Sequence, residues 1–404
     1  MSSNVKPKIH WLNSTVLGIG MASLFSDMSH EVATALLPAF LSTMGVAAAW
    51  LGTIEGVADG LASFTKMGSG YYTDKLPRRK PILIIGSVLT ALGTASFALV
   101  TQAWQVLIGR SLAWFGRGVR SPVKKAILAS AVTKETYGRA FGFERMMDTI
   151  GAIVGPAIAF VLIGVLNHNY STLFAVTLIP GLISTGFIIF AVKEKERLPV
   201  KYRSFWEGLK SLPNSFRSML VGVGLFGLGS FAHSMLILLA TQELTPQLGV
   251  AGAASAAVGL YILHNVFYAS FAFIGGWLAD RIPKTLLLAI GFLMAAAMCL
   301  CIIFLPVSIW TLGVVFMLGG MNVALEETLE SSLSAELVEE QYHGIAYGTL
   351  DTVNGIGDFA SSIVVGALWS AFGTAIAFGY SAVLSIAGAM VILFLRPRLL
   401  PKTQ

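Results

Sequence analysis

Acids, bases and imidazoles lie inside long apolar runs of this sequence. There an ionised side chain costs about 2.5–3.5 kcal/mol on insertion scales, so it normally faces water, a partner or a ligand. Asp27, His30 and Glu31 fall within 13–40 at helical spacings of three and four, which puts them on one face and predicts that they line a cavity. Glu55 and Asp59 form a second pair four residues apart within 47–73, with Lys66 further along the same stripe. The run 104–129 is basic, with Arg110, Arg117, Arg120 and Lys124 along one stripe and Lys125 next to it. Glu144, Arg145 and Asp148 follow on 138–164, and His233, His264, Asp351 and Asp358 continue the pattern in the second half. Carboxylates and imidazoles have adjustable proton affinity and suit proton binding. Asp27, His30 and His233 could instead offer oxygen and nitrogen ligands to a divalent metal. Internal pairing that only holds helices together is the structural alternative, and a solitary His264 is more often a hydrogen-bonded filler than a ligand.

The elements that must position these groups are membrane spans. The chain has 404 residues, 55% of them hydrophobic and 12% charged, with a mean hydropathy of +0.76, a composition that belongs in a bilayer. Twelve segments reach the length of about 20 apolar residues that a span requires. The first six are 13–40, 47–73, 81–101, 104–129, 138–164 and 170–192. The second six are 216–242, 250–279, 285–305, 308–334, 342–369 and 373–395. The charged connector 193–214 separates an amino-terminal bundle, 1–192, from a carboxy-terminal bundle, 215–404. Lys and Arg gather in the loops of one face and at both ends of the chain, which predicts cytoplasmic termini in an inner or plasma membrane. That asymmetry accounts for the net charge of +6 through attraction to anionic lipid, without a nucleic-acid partner. Cys299 and Cys301 flank Leu300 in an apolar run and read as packing residues. Lys6 and Lys8 precede no separate hydrophobic core with a cleavage site, so no removable signal peptide is expected.

The second half echoes the first. Gly70, Asp74, Lys75, Pro77 and Arg78 recur as Gly276, Asp280, Arg281, Pro283 and Lys284, each 206 residues on. Gly138, Ala140 and Gly142 recur at the same offset as Gly344, Ala346 and Gly348. Duplication at half the chain length implies two copies of one structural unit. Twelve spans split six and six, with this charged turn between spans two and three and again between eight and nine, resemble the major facilitator superfamily over nearly the whole chain. The family has Gly where Pro77 and Pro283 stand, and Pro also enforces a turn.

The resemblance implies an all-α membrane protein of two pseudo-symmetric six-helix bundles that works by alternating access. It implies a cytoplasmic latch at Asp74, Lys75 and Arg78 with its copy at Asp280 and Arg281. Gly142, Gly151, Gly155 and Pro156 resemble a span-five pattern found mainly in the family's antiporters, although Ala159 and Phe160 replace its closing glycines. Arg110 lies in part of the family's span-four motif tied to proton coupling, with Ala113 and Trp114 where Gln and Gly are usual. Ferroportin-type iron exporters are similar in having an aspartate on the first helix, a match limited to Asp27 and a nearby His.

Arg120 and Lys124 have Glu326 and Glu330 as their mates 206 residues on. Cations on span four thus oppose anions on span ten, and an inter-half gate of ion pairs is expected there, with Lys124, Lys125, Glu326 and Glu330 as its members; a cytoplasmic binding patch for an anionic solute is the alternative. No nucleotide loop, zincin motif or nucleophile elbow occurs, so no enzyme activity is expected. The expected function is secondary transport of a small organic solute, by proton-coupled efflux, with the proton gradient as driving force and no cofactor. A divalent-metal exporter, proton-coupled uptake of an organic anion and a non-transporting sensor on the same fold stay open. A monomer is expected.

Overall fold

The computed structural model describes residues 10–44, 48–167, 169–194, 196–200 and 204–399, and among them no strand occurs. The first half contains α1 (Ser14–Thr43), α2 (Ala48–Asp74), α3 (Lys80–Ala95), α4 (Ala103–Ser130), α5 (Tyr137–Val165), and a sixth span divided into α6 (Tyr170–Val176) and α7 (Leu178–Ala191). A short α8 (Phe205–Ser211) lies in the connector. The second half contains α9 (Asn214–Gly227), α10 (His233–Ala279), α11 (Lys284–Phe304), α12 (Ile309–Leu337), α13 (His343–Phe372) and α14 (Thr374–Leu399). Among the described residues, eight helical segments are long and apolar enough to cross a membrane by length and composition. The others, including α2 and α4, are the charge-bearing or interrupted spans.

Two spans expected to be continuous are broken, for local reasons. In span six the helix stops at Val176, whose carbonyl lies four residues before Pro180, a residue with no N–H to donate. Span seven stops at Gly227 and resumes at His233, across Leu228, Gly229, Ser230, Phe231 and Ala232. Gly227 at the helix end and Gly229 within that stretch weaken the helix. Its freed groups find side-chain partners: the Tyr380 hydroxyl donates to the Leu228 carbonyl (3.0 Å), and the Ala232 N–H donates to Ser362 Oγ (3.3 Å). Backbone groups away from water must be satisfied in this way. Spans seven and eight together form α10, turning at Gly249, where φ is 69°.

Each half has its own apolar core. Leu83, Val123 and Ile127 are among the buried residues of the first, and Phe226 stacks on Phe292 (4.0 Å between centroids) in the second. The halves meet through glycine. A Cβ on Gly70 would lie 2.2 Å from the Gly344 carbonyl oxygen, and one on Gly276 would lie 2.2 Å from that of Gly138. Only hydrogen fits at either crossing, so α2 meets α13, and α10 meets α5, backbone to backbone. These two crossings are the same contact made twice, because Gly70 and Gly276, and Gly138 and Gly344, are 206 residues apart. Gly151 and Gly155 serve the crossing of α5 with α1 in the same manner, against the Leu24 and Met28 carbonyls.

Candidate functional site

The charged turns close one face of the molecule. Asp74 accepts from the backbone N–H groups of Gly344 (3.0 Å) and Ile345 (2.8 Å) at the start of α13, and from Arg79 Nη2 (2.7 Å). Asp280 accepts from the N–H groups of Gly138 (2.8 Å) and Arg139 (3.2 Å) at the start of α5, and from Arg139 Nε (2.6 Å). A carboxylate at a helix start satisfies otherwise unpaired donors and meets the positive end of the helix dipole. Each aspartate caps the helix of the opposite half. The connector reinforces this face: Glu194 accepts from the N–H groups of Arg79 and Lys80, and Arg197 reaches the Thr73 carbonyl, Asp74 and the Gln341 carbonyl.

Three residues expected in the latch lie beside it. Lys75 sits over the Tyr71 ring, Arg281 over the Trp277 ring, and Arg78 pairs with exposed Glu196. The cations that engage the two aspartates are Arg79, Arg139 and Arg197. Arg79 belongs to the repeated turn and Arg139 follows the repeated Gly138, so both were within reach of the sequence. Nothing in the sequence marked Arg197.

Behind the closed face, two linked cavities lie between the halves. The one nearer the latch has about 190 Å³ and is lined by charge, including Arg120, Lys125, Arg145, Glu327, Glu330 and Asp351. The larger has about 770 Å³ and is walled by His30, Glu31, Asp59, Arg110, Trp114 and Phe359, among others. Lys66, Arg117, Gly355 and Asp358 line both and join them.

Within the larger cavity, Trp114 organises the first half's wall. Its Nε1 donates to Asp59 Oδ1 (2.5 Å), the Arg110 guanidinium lies 3.7 Å from its ring, and His30 packs at 4.2 Å between centroids. Arg110 also donates to Thr34 Oγ1 (3.2 Å). Arginine stacked on an aromatic ring keeps its planar fork oriented. The side chain of Glu55 lies outside the described residues.

Asp27 does not line either cavity. It is buried behind Arg117 and Arg120, at 3.7 and 3.8 Å from their Nη2 atoms. His233 is not in the central cavity with it: it borders a void of about 30 Å³ inside the second half and packs on His264 (4.6 Å), whose Nδ1 lies 3.2 Å from the Phe316 carbonyl oxygen. The break in span seven, invisible to a symmetric reading, redirects His233. Asp27, His30 and His233 are therefore not assembled as a metal set, and no group of three or more His, Cys, Asp or Glu side chains suited to a metal occurs among the described residues.

Ion pairs do join the halves next to the smaller cavity, and of the four expected members Lys125 takes part, with partners other than those expected. Lys125 binds Asp351 (2.6 Å), which also accepts from Ser121 (2.7 Å), and Arg145 binds Glu327 (2.8 Å). Ser121 with Asp351 and Arg145 with Glu327 are repeat mates: 327 is 121 shifted by 206, and 351 is 145 shifted by 206. Lys124 instead turns into its own half, to Glu144 (2.5 Å) and Asp148 (3.7 Å). Arg120 faces Asp27, and neither Glu326 nor Glu330 forms an ion pair among the described residues. The sequence placed Ser121 on the stripe of span four but missed Glu327, because a run of neighbouring charges along one helix does not say which of them faces the other half.

The family model described as Major Facilitator Superfamily matches residues 19–257 and 219–404. An uncharacterized MFS-type transporter of Methanocaldococcus jannaschii, MJ1317, is 27% identical over 384 residues, covering 95% of each chain. The multidrug resistance protein MdtH of Photorhabdus laumondii is 30% identical over 112 residues, covering 27% of this chain and 28% of its own. Among solved structures, the Escherichia coli fucose:proton symporter FucP superposes with a TM-score of 0.78 at 18% identity, over 94% of this chain and 98% of that one. Duplicated six-helix halves, paired glycine crossings and a family match along the length of the sequence have one meaning: this multi-pass membrane protein belongs to the Major Facilitator Superfamily.

Proposed function

We propose that the protein is a proton-coupled secondary transporter that exports a small organic solute by alternating access. The observation that carries this reading is the pair of cavities between the halves, about 770 and 190 Å³, with the latch face sealed behind them. That volume lies in the range of sites for drug-sized ligands. The basic loops support a cytoplasmic latch face, with cytoplasmic termini and the larger cavity toward the outside. In this reading the two bundles, 1–192 and 215–404, rock about the cavity with 193–214 as the connector.

Arg110, Arg117 and Lys66 on the cavity wall are donors for acidic or polar groups of the solute. Glu31, Asp59 and Asp358 are acceptors for basic groups or protons, and Trp114 and Phe359 offer rings. A solute with both a ring and polar groups fits that wall. The similarity of part of the chain to a multidrug resistance protein supports export. The driving force is the proton gradient, worth about 2.3 kcal/mol per charge across 100 mV before any pH difference is added.

The test is a solute panel read first by thermal stabilisation, which reports binding to the folded state. Solutes that raise the melting temperature are then added to proteoliposomes holding a pH gradient. Solute-dependent collapse of the gradient is expected. Binding with no proton movement for any such solute contradicts the coupling.

A further inference from the structure

Two carboxyl oxygens in the described structure are buried without a hydrogen-bond partner, Asp27 Oδ1 and Glu330 Oε1. Asp27 has two guanidinium groups within 3.8 Å. Glu330 has none: its other oxygen accepts from Asn354 Nδ2 (2.6 Å), and its residue is 1% exposed.

The repeat explains this isolation. Glu330 stands where the first half has Lys124. Lys124 is held by three groups, Glu144, Asp148 and the Ser23 hydroxyl (2.9 Å). Their mates around Glu330 are Leu350, Asn354 and Gly229, so only the amide survives as a partner. The position that gives a cation two anionic partners in one half gives a carboxyl one amide in the other.

A buried carboxyl with no cation bound to it costs little with its proton on and a great deal with it off. Glu330 is also on the wall of the smaller cavity, so a proton leaving it has water to enter. We propose that Glu330 is a proton-binding site, and that releasing its proton into that cavity draws Lys125 from Asp351 and loosens the closed face. Lys125 shares the cavity and is the cation whose charge reaches Glu330. At present it spans the halves by holding Asp351.

Of the other charges on this cavity, Arg117 and Arg120 face Asp27, and Lys124 is held by Glu144 and Asp148. Glu326 and Glu327 on its own helix and Asp358 on α13 crowd it with like charge. Arg145 on α5 is already shared by Asp148 and Glu327, and Lys66 on α2 lies across the cavity by Asp351 and Asp358. Lys125 is therefore the cation with a competing choice between the halves.

This inference rests on the proton-coupled reading, and its test needs no solute. Spin labels are placed through Lys134→Cys and Glu339→Cys, one on each half at the latch face, in a Cys299→Ala, Cys301→Ala background. The distance distribution is followed against pH in lipid nanodiscs. The long-distance population is expected to grow as pH rises in the parent protein, to lose that dependence in Glu330→Gln, and to keep it with a displaced midpoint in Glu330→Asp. The Gln side chain preserves the shape and still accepts from Asn354, and an unchanged elution profile and helical spectrum check its fold. A pH response of the same size and midpoint in Glu330→Gln overturns the assignment while leaving coupling intact. A parent protein with no pH response overturns coupling and assignment together.

Discussion

The Lys124 site and the Glu330 site occupy equivalent places in the two halves, and the chain equips them in opposite ways. In the first half Lys124, Glu144, Asp148, Arg145 and Ser23 form a network in which each charge has a partner. In the second half, leucine, asparagine and glycine stand at the positions of Glu144, Asp148 and Ser23, leaving Glu330 with one amide. A saturated network resists change, because moving any member strands a buried charge. An unsaturated acid can change its charge and redirect a neighbour. The duplicated backbone thus gives one half a fixed wall and the other a titratable one.

The sharpest way to break this comparison is to remove the two groups in turn. Lys124→Ala leaves buried Glu144 without its cation, while Asp148 keeps Arg145, a loss of about 3–5 kcal/mol. Glu330→Ala leaves a single amide unsatisfied, worth about 1–3 kcal/mol. Thermal unfolding of the purified variants should therefore show a clearly larger drop in melting temperature for Lys124→Ala. Equal drops, or the reverse order, mean that the two sites do not differ as described.

The latches offer the same contrast at the closed face. Asp74 and Arg79 are both fully enclosed, with side-chain exposures of 0% and 1%, while Asp280 pairs with Arg139, which is 30% exposed. Asp74→Ala strands a buried guanidinium and should open the latch face substantially. Asp280→Ala costs about as much as a lost helix cap, 0.5–2 kcal/mol. Label distances at that face, compared between the two variants, check the order, and a larger opening in Asp280→Ala contradicts it. At the small end, Arg78→Ala removes only an exposed pair with Glu196 and should change the melting temperature by what about 0–1 kcal/mol produces.

The architecture was largely legible because span length, basic-loop asymmetry and the 206-residue repeat are properties of the chain alone. The repeat even carried the glycine crossings, since Gly70, Gly138, Gly276 and Gly344 stand at matched positions. The site was legible by membership and not by pairing. Arg110, Asp59, Glu31 and Asp358 reach the cavity as their depth in the spans suggested. Asp27 and His233 do not, the first because two arginines cover it, the second because the helix breaks before it at Gly229. The gate's partners were misassigned since each helix presents several neighbouring charges within one turn. Sequence spacing cannot tell whether Lys124 or Lys125 turns toward the other half; only the packing of α4 against α5 and α13 decides it.

The account depends above all on the halves moving as two bodies about the cavity. The direct measurement places one label pair at the latch face, Lys134→Cys with Glu339→Cys, and a second at the opposite face, Thr101→Cys with Val307→Cys, and records both distances over the same pH series. The account predicts that the latch-face distance lengthens as the opposite-face distance shortens. Two faces that stay fixed, or that widen together, contradict it.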